Sequence, residues 1–270
     1  SRKRKSAFSA EQNTYQRTTY EVVPFEVDFS YRFWLKSLFK TAKISFLQIV
    51  SHLIFWIIAG LGLLSVVFIM FRVTRLEDFI VIPATQLLIG SPLIIYSIIV
   101  MLMTIIFAGM LVNKESESGI DALLESTPVP IYILGLGKLM GLMKAQLVLL
   151  LLFGLTGVLF QISTGYFEIQ SGVYLQALFL YALLPLATWA LVSVAIHIMV
   201  QRLYLGIFIL TLGWLGVQGL ASVGVETYLL RFNEMPKITY SEFTGFGFFE
   251  KAYFIVGGYW LSFGLFVLVF

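Results

Sequence analysis

The chain has 270 residues, of which 59% are hydrophobic and only 12% charged, with a net charge of +3 and no cysteine. A soluble core of this size does not need so much apolar surface, whereas runs of about 20 apolar residues are what a hydrocarbon layer about 30 Å thick demands, so the composition predicts an all-α, polytopic membrane protein. Disulfides and cysteine-held metals are excluded, and nothing alternates in polarity over the ten or so residues of a transmembrane barrel strand.

Residues 1–30 are polar and poorly periodic, and Pro24 breaks any helix there, which predicts a cytoplasmic linker. No signal peptide is visible, and a chain that opens on Ser and stops at Phe270 inside an apolar run is expected to be a piece of a longer one. Residues 31–44 interleave Phe33, Trp34, Leu38 and Phe39 with Arg32, Lys36, Lys40 and Lys43 at helical spacing. That pattern predicts an interfacial helix lying along the membrane surface, its cations facing anionic lipid rather than nucleic acid.

Residues 45–270 then read as a six-span transmembrane domain. The spans are expected at Ser45–Met70, Pro83–Val112, Leu139–Phe160, Val173–Val200 and Leu203–Ala221, and from Ala252 onward. Between them lie a short polar loop with Arg72, Arg75, Glu77 and Asp78, a turn over Gln161–Gly172, a tight reversal at Gln201 and Arg202, and a longer amphipathic loop over Ser222–Lys251. Pro185 predicts a kink. A cytoplasmic N-terminus places thirteen Lys and Arg inside and five outside, nine of the thirteen before the first span. This bias puts both termini and the loop 113–138 in the cytoplasm.

Within that loop Glu117, Asp121 and Glu125 fall at i, i+4 and i+8, so on a helix they form one acidic stripe, with Ile120, Leu123 and Leu124 on an adjoining sector. Like charges at this spacing cost a few tenths of a kcal/mol per pair unless a cationic surface lies against them. A solvated acidic helix and a helix that docks on a basic groove both fit. Polar groups within spans are costly and usually face a bundle interior, which makes His52, Gln86, Gln146 and Gln218 candidates for a substrate path. Lys144 and His197 lie close enough to the cytoplasmic boundary to snorkel. Gly213, Gly216 and Gly219 recur every third residue and predict close helix packing.

No catalytic, cofactor or metal residue is predicted. The two histidines, His52 and His197, do not form the His-Glu-x-x-His of a zincin. Gly137-Lys138 lacks the rest of a phosphate loop, since Tyr132 and Leu139 stand where its glycine and hydroxyl residue belong. An ion-coupled carrier is disfavoured because no span centre carries an acidic residue.

The order of a basic surface helix, a span, and a second span ending FAGMLVNKESESGIDALLESTPVPIYILGLGKLMG resembles the permease of an ATP-binding-cassette exporter of the second type. The matching residues are Glu117, Gly119, Leu123, Leu124, Thr127, Pro128, Val129, Gly137 and Lys138. The resemblance implies a coupling helix over 115–126 that touches a nucleotide-binding subunit, with Glu115, Glu117, Ile120, Asp121, Leu123, Leu124 and Glu125 in contact. PATQ at 83–86 and YLLRFNEMPKITYSEFTGFG at 228–247 are similar, more narrowly, to the second six-span half of twelve-span permeases fused to a zinc aminopeptidase. The resemblance implies ATP and Mg on partner ATPase subunits and a second six-span half, in the same polypeptide or as a homodimer. It further implies an inner-membrane location in a bacterium and no enzymatic activity in these 270 residues. The alternative is a membrane anchor or scaffold that positions a fused or neighbouring zinc aminopeptidase without transport. The transported substrate is not readable.

Overall fold

A computed structural model describes residues 30–76, 79–118, 129–247 and 249–269. Helix α1, Tyr31–Val50, is capped by Ser30, whose side chain accepts from the Phe33 amide at 3.3 Å. It runs past the expected end at residue 44, so Ser45, Ile49 and Val50 belong to it and not to the first span. The break comes at Ser51 and His52, where the imidazole Nδ1 accepts from the Ile54 amide at 3.3 Å and caps α2, Leu53–Thr74. The Trp56 indole donates to the Val50 carbonyl at 2.8 Å and ties this elbow together. Two polar residues inside a long apolar run are a weak stop signal, which is why the boundary is hard to read from hydropathy.

The polar loop after α2 is built on a two-residue antiparallel ladder, β1 Arg75–Leu76 with β2 Phe79–Ile80. There follow α3, Thr85–Leu88, and α4, Ser91–Ser118. Helix α5 covers Ile131–Ser163, so Gln161, expected in a turn, is helical. The next span is composite: α6, Ser171–Leu175, a π-helical segment, Gln176–Ala182, and α7, Leu183–Val200. Gln201, in the left-handed conformation (φ 52°), ends α7 and lets the chain reverse into α8, Leu203–Ser222. Helix α9 is Glu250–Val269.

Among the described residues, six helical stretches are long and apolar enough to cross a membrane: Leu53–Thr74, Thr85–Lys114, Tyr132–Ser163, Ser171–Val200, Leu203–Leu220 and Glu250–Val269. The fold is all-α and polytopic. At 1.5 Å per residue, the 33 residues of α5 reach roughly 50 Å, well beyond a hydrocarbon core about 30 Å thick.

Helix α4 is the hub, packing against α2, α5, α7 and α8. Tyr96 on α4 is fully buried and donates to the Leu149 carbonyl of α5 at 3.0 Å, and Gly62 of α2 lies against Tyr96 and Ile99. Helix α8 is peripheral, with 11% of its span buried against 56% for the α4 span. Among the described residues Gly213, Gly216 and Gly219 have open space beside them, so no described helix supplies the packing expected from their spacing. Close packing falls to other glycines.

The segment after α8 is not simply an external loop. Phe232 lies against Trp189 near the middle of α7 and against Trp260 and Phe263 of α9, at ring separations of 5.0, 5.2 and 6.0 Å. The Trp260 indole donates to the Tyr228 carbonyl at 3.2 Å. Part of the segment therefore dips between two spans. Asn233, in the left-handed region at φ 56°, turns the chain at that depth, and its amide donates to the Pro185 carbonyl at 2.9 Å.

Candidate functional site

Helices α4 and α5 run into residues 119–128 from either side, at the end of the bundle where α1 also lies. Glu115 and Glu117 sit in the last turn of α4. Ile120, Asp121, Leu123, Leu124 and Glu125 lie outside the described residues. The structure therefore defines the frame around the proposed coupling segment: Pro130 opens α5, with its carbonyl accepting from the Ile133 amide at 2.9 Å.

Helix α1 is seated along the first turns of α5 through small residues on both sides. A Cβ added to Gly137 would stand 2.6 Å from Thr41 Cβ, and one added to Gly141 would stand 2.6 Å from Ser45 Cβ and 2.9 Å from the Ala42 carbonyl oxygen. Ala42, Ser45 and Ile49 form the buried face of α1. Glycines four residues apart permit this approach because two helix backbones can touch only where Cβ atoms are missing or small. Gly137, identified from the sequence by resemblance, thus has a local packing role in the frame of the 119–128 segment.

At the same end, His197 closes the junction of α4, α7 and α8. Its Nδ1 pairs with the Ser193 carbonyl at 2.8 Å, and its ring fills the space left by Gly109 of α4 and Gly206 of α8. Cβ atoms at those two positions would lie 2.5 and 2.6 Å from the ring. His197 is fully buried, so it does not snorkel as its nearness to the span end suggests. Asn113, one turn from Gly109, donates to the Gly109 carbonyl at 2.9 Å. His197 Nε2, Asn113 Oδ1 and Ser193 Oγ are buried without a hydrogen-bond partner.

The four substrate-path candidates are not gathered in one place. His52 caps α2, with its ring edge-on to Phe107 at 6.0 Å. Gln86 is exposed on α3 and Gln218 is exposed on α8. Gln146 alone is a buried node: its amide donates to Thr104 Oγ1 at 2.8 Å and to the Leu186 carbonyl at 3.0 Å, joining α5 to α4 and α7, while Oε1 has no partner. A cavity of about 10 Å³ beside it is otherwise apolar apart from Thr104, and none of the other three candidates lines it.

Sequence reasoning passed over Gln161 and Thr85. The Gln161 amide donates to the Pro83 carbonyl at 2.9 Å and to Thr85 Oγ1 at 3.1 Å, and its carbonyl oxygen accepts from the Tyr174 hydroxyl at 3.1 Å. This cluster pins the far ends of α5, α3 and α6 together. The available signal was a Gln next to a long apolar run, which also fits a solvated turn.

Arg231 and Glu234, on either side of the turn that dips between spans, pair at 3.2 Å, and the Tyr181 hydroxyl donates to Glu250 at the start of α9 at 2.9 Å. Tyr166 lies in the connection between α5 and α6, where desolvation first, and then the carboxylates of Glu168 and Glu242, hold its phenol above the ordinary value. Among the described residues no three His, Asp or Glu side chains come together as metal ligands. Comparison with known protein families, curated proteins and solved structures finds no match.

Proposed function

We propose that the chain is the transmembrane half of an ATP-binding-cassette exporter of the second type, coupling ATP hydrolysis on a partner subunit to export. The observation that carries the reading is the framing of the 119–128 segment, whose sequence bears the permease-like residues. It is flanked by α4, the hub of the bundle, and by α5, on which α1 is clamped. Force applied to that segment by a partner has a direct mechanical path into both helices. Both termini and this segment face the cytoplasm, a second six-span half completes the pathway, and ATP and Mg reside on the ATPase subunits.

The test is co-purification of the intact parent protein in mild detergent, followed by an ATPase assay. A nucleotide-binding subunit that co-purifies and hydrolyses ATP supports the reading. A functional exporter, or a peptidase anchor, purified without any such subunit and without ATPase activity overturns it, the latter in favour of the scaffold alternative.

A further inference from the structure

We propose that the elbow between α1 and α2 is a binding site for an anionic phospholipid, with the headgroup on Lys40 and Lys43 and an acyl chain along Ile44, Leu47 and Val50. Arg32, Lys36, Lys40, Lys43 and Leu47 follow one another at i, i+4, i+8, i+11 and i+15, so at 3.6 residues per turn they share one face of α1. All four cations on it are exposed. The opposite face, with Ala42, Ser45 and Ile49, is buried, so the clamp onto α5 fixes which side of the helix is presented.

Along the presented face the character changes from basic to apolar as α1 approaches the first span. Ile44 and Leu47 are each more than half exposed. Together with Gln48, Val50 and Ser51 they line a shallow open groove of about 420 Å³. Helix α1 contains no acidic residue, so nothing on the helix itself neutralises its cations. A cationic patch of this kind attracts phosphate-bearing surfaces. An apolar groove beginning beside the patch, at Ile44, and running to where the chain enters a span selects among them for a molecule that has both an anionic head and a hydrocarbon tail. A soluble acidic protein would match the cations and leave the groove empty.

The test is native mass spectrometry of the full chain released from nanodiscs containing phosphatidylcholine and phosphatidylglycerol. The wild type is expected to retain phosphatidylglycerol in preference. Lys40→Gln with Lys43→Gln should weaken that retention about tenfold or more, since each cation near an anionic surface is worth roughly a factor of five. Phosphatidylcholine retention should stay the same. Arg32→Gln with Lys36→Gln removes the same charge from the same face but further from the groove, and should cost clearly less. Leu47→Asn should weaken both lipids, and glycerol 3-phosphate, a headgroup without chains, should not compete. Headgroup-blind retention by the wild type, equal losses in the two double variants, indifference to Leu47→Asn, or full competition by glycerol 3-phosphate would each overturn the site. The four cations are exposed, so circular dichroism should find the helix content of both double variants unchanged.

Discussion

The hydroxyl of Tyr253 on α9 donates to the carbonyl of Tyr181, the group that Pro185 leaves without its helical amide. Proline has no N–H, so the carbonyl four residues earlier loses its donor. The chain accommodates this with a π-helical segment ending at Ala182 and a hydroxyl supplied by another span. Where no water is at hand, a freed backbone group must find such a substitute.

Tyr253→Phe should therefore lower thermal stability in detergent by about 1 kcal/mol, the scale of one intramembrane hydrogen bond. Pro185→Ala restores an amide to the helix, so Tyr253→Phe should cost markedly less in that background. Equal costs in the two backgrounds would show that the hydroxyl does not replace the missing amide.

His197 fits only because Gly109 and Gly206 lack Cβ atoms. Gly109→Ala and Gly206→Ala should each destabilise by about 1–3 kcal/mol through overpacking, because the ring is held by its bond to the Ser193 carbonyl and cannot swing freely. Adding His197→Ala makes room, so Gly206→Ala should then cost little, and Gly109→Ala should cost less while keeping its contact with Leu203 Cδ1 at 2.6 Å. Additive losses in the double variants would argue against the wedge.

The seat of α1 on α5 makes a swap prediction. Gly137→Ala should destabilise by about 1–3 kcal/mol because its Cβ meets that of Thr41. Thr41→Gly combined with Gly137→Ala removes the closest clash and should recover a good part of the loss, beyond what two independent substitutions allow. Thermal unfolding of the four proteins decides it.

Topology can be read directly because the native chain has no cysteine. Single Cys substitutions at Ser118, Ser171 and Ser241 should report opposite sides: position 118 protected from an impermeant reagent added outside intact cells, positions 171 and 241 accessible. The reverse pattern would invert the orientation drawn from the Lys and Arg bias.

Exchange of Glu117, Asp121 and Glu125 for Lys turns attraction to a basic partner surface into repulsion within about 8 Å at physiological salt. Substrate-stimulated ATPase activity, or retention of the ATPase subunit, should fall sharply, more than with Gln at the same positions, and low salt should widen the gap. Normal coupling in the triple Lys variant would reduce the stripe to a solvated face and shift docking to Ile120, Leu123 and Leu124.

The number and approximate places of the spans were legible because hydropathy over about 20 residues is a bulk property that survives local error. Finer features were not, for particular reasons. The break at Ser51 and His52 depends on an imidazole accepting a backbone amide, which hydropathy does not register. Gln161 looks like a turn residue until its partners Pro83, Thr85 and Tyr174 are seen around it. Gly213, Gly216 and Gly219 carry the periodicity of a packing face yet have open space beside them among the described residues, while Gly109, Gly137, Gly141 and Gly206 lie at close contacts. Periodicity identifies a smooth helix face and is silent on whether a neighbour occupies it. The inward course of the segment after α8 was hidden because Phe232 and Asn233 are unremarkable in sequence, and only their contacts with Trp189, Trp260 and Pro185 place them between spans.

The bond from Tyr253 to Tyr181 also constrains how the molecule is assembled during synthesis. Until the last span emerges, the earlier helix carries an open carbonyl beside Pro185, and the amide of Asn233, which serves the neighbouring carbonyl, is also still to come. Among the described residues helix α9 packs chiefly along α7. Helix α9 and residues 228–233 thus seat together against α7, and a vacancy left by a proline is filled by a hydroxyl that lies some seventy residues further along the chain.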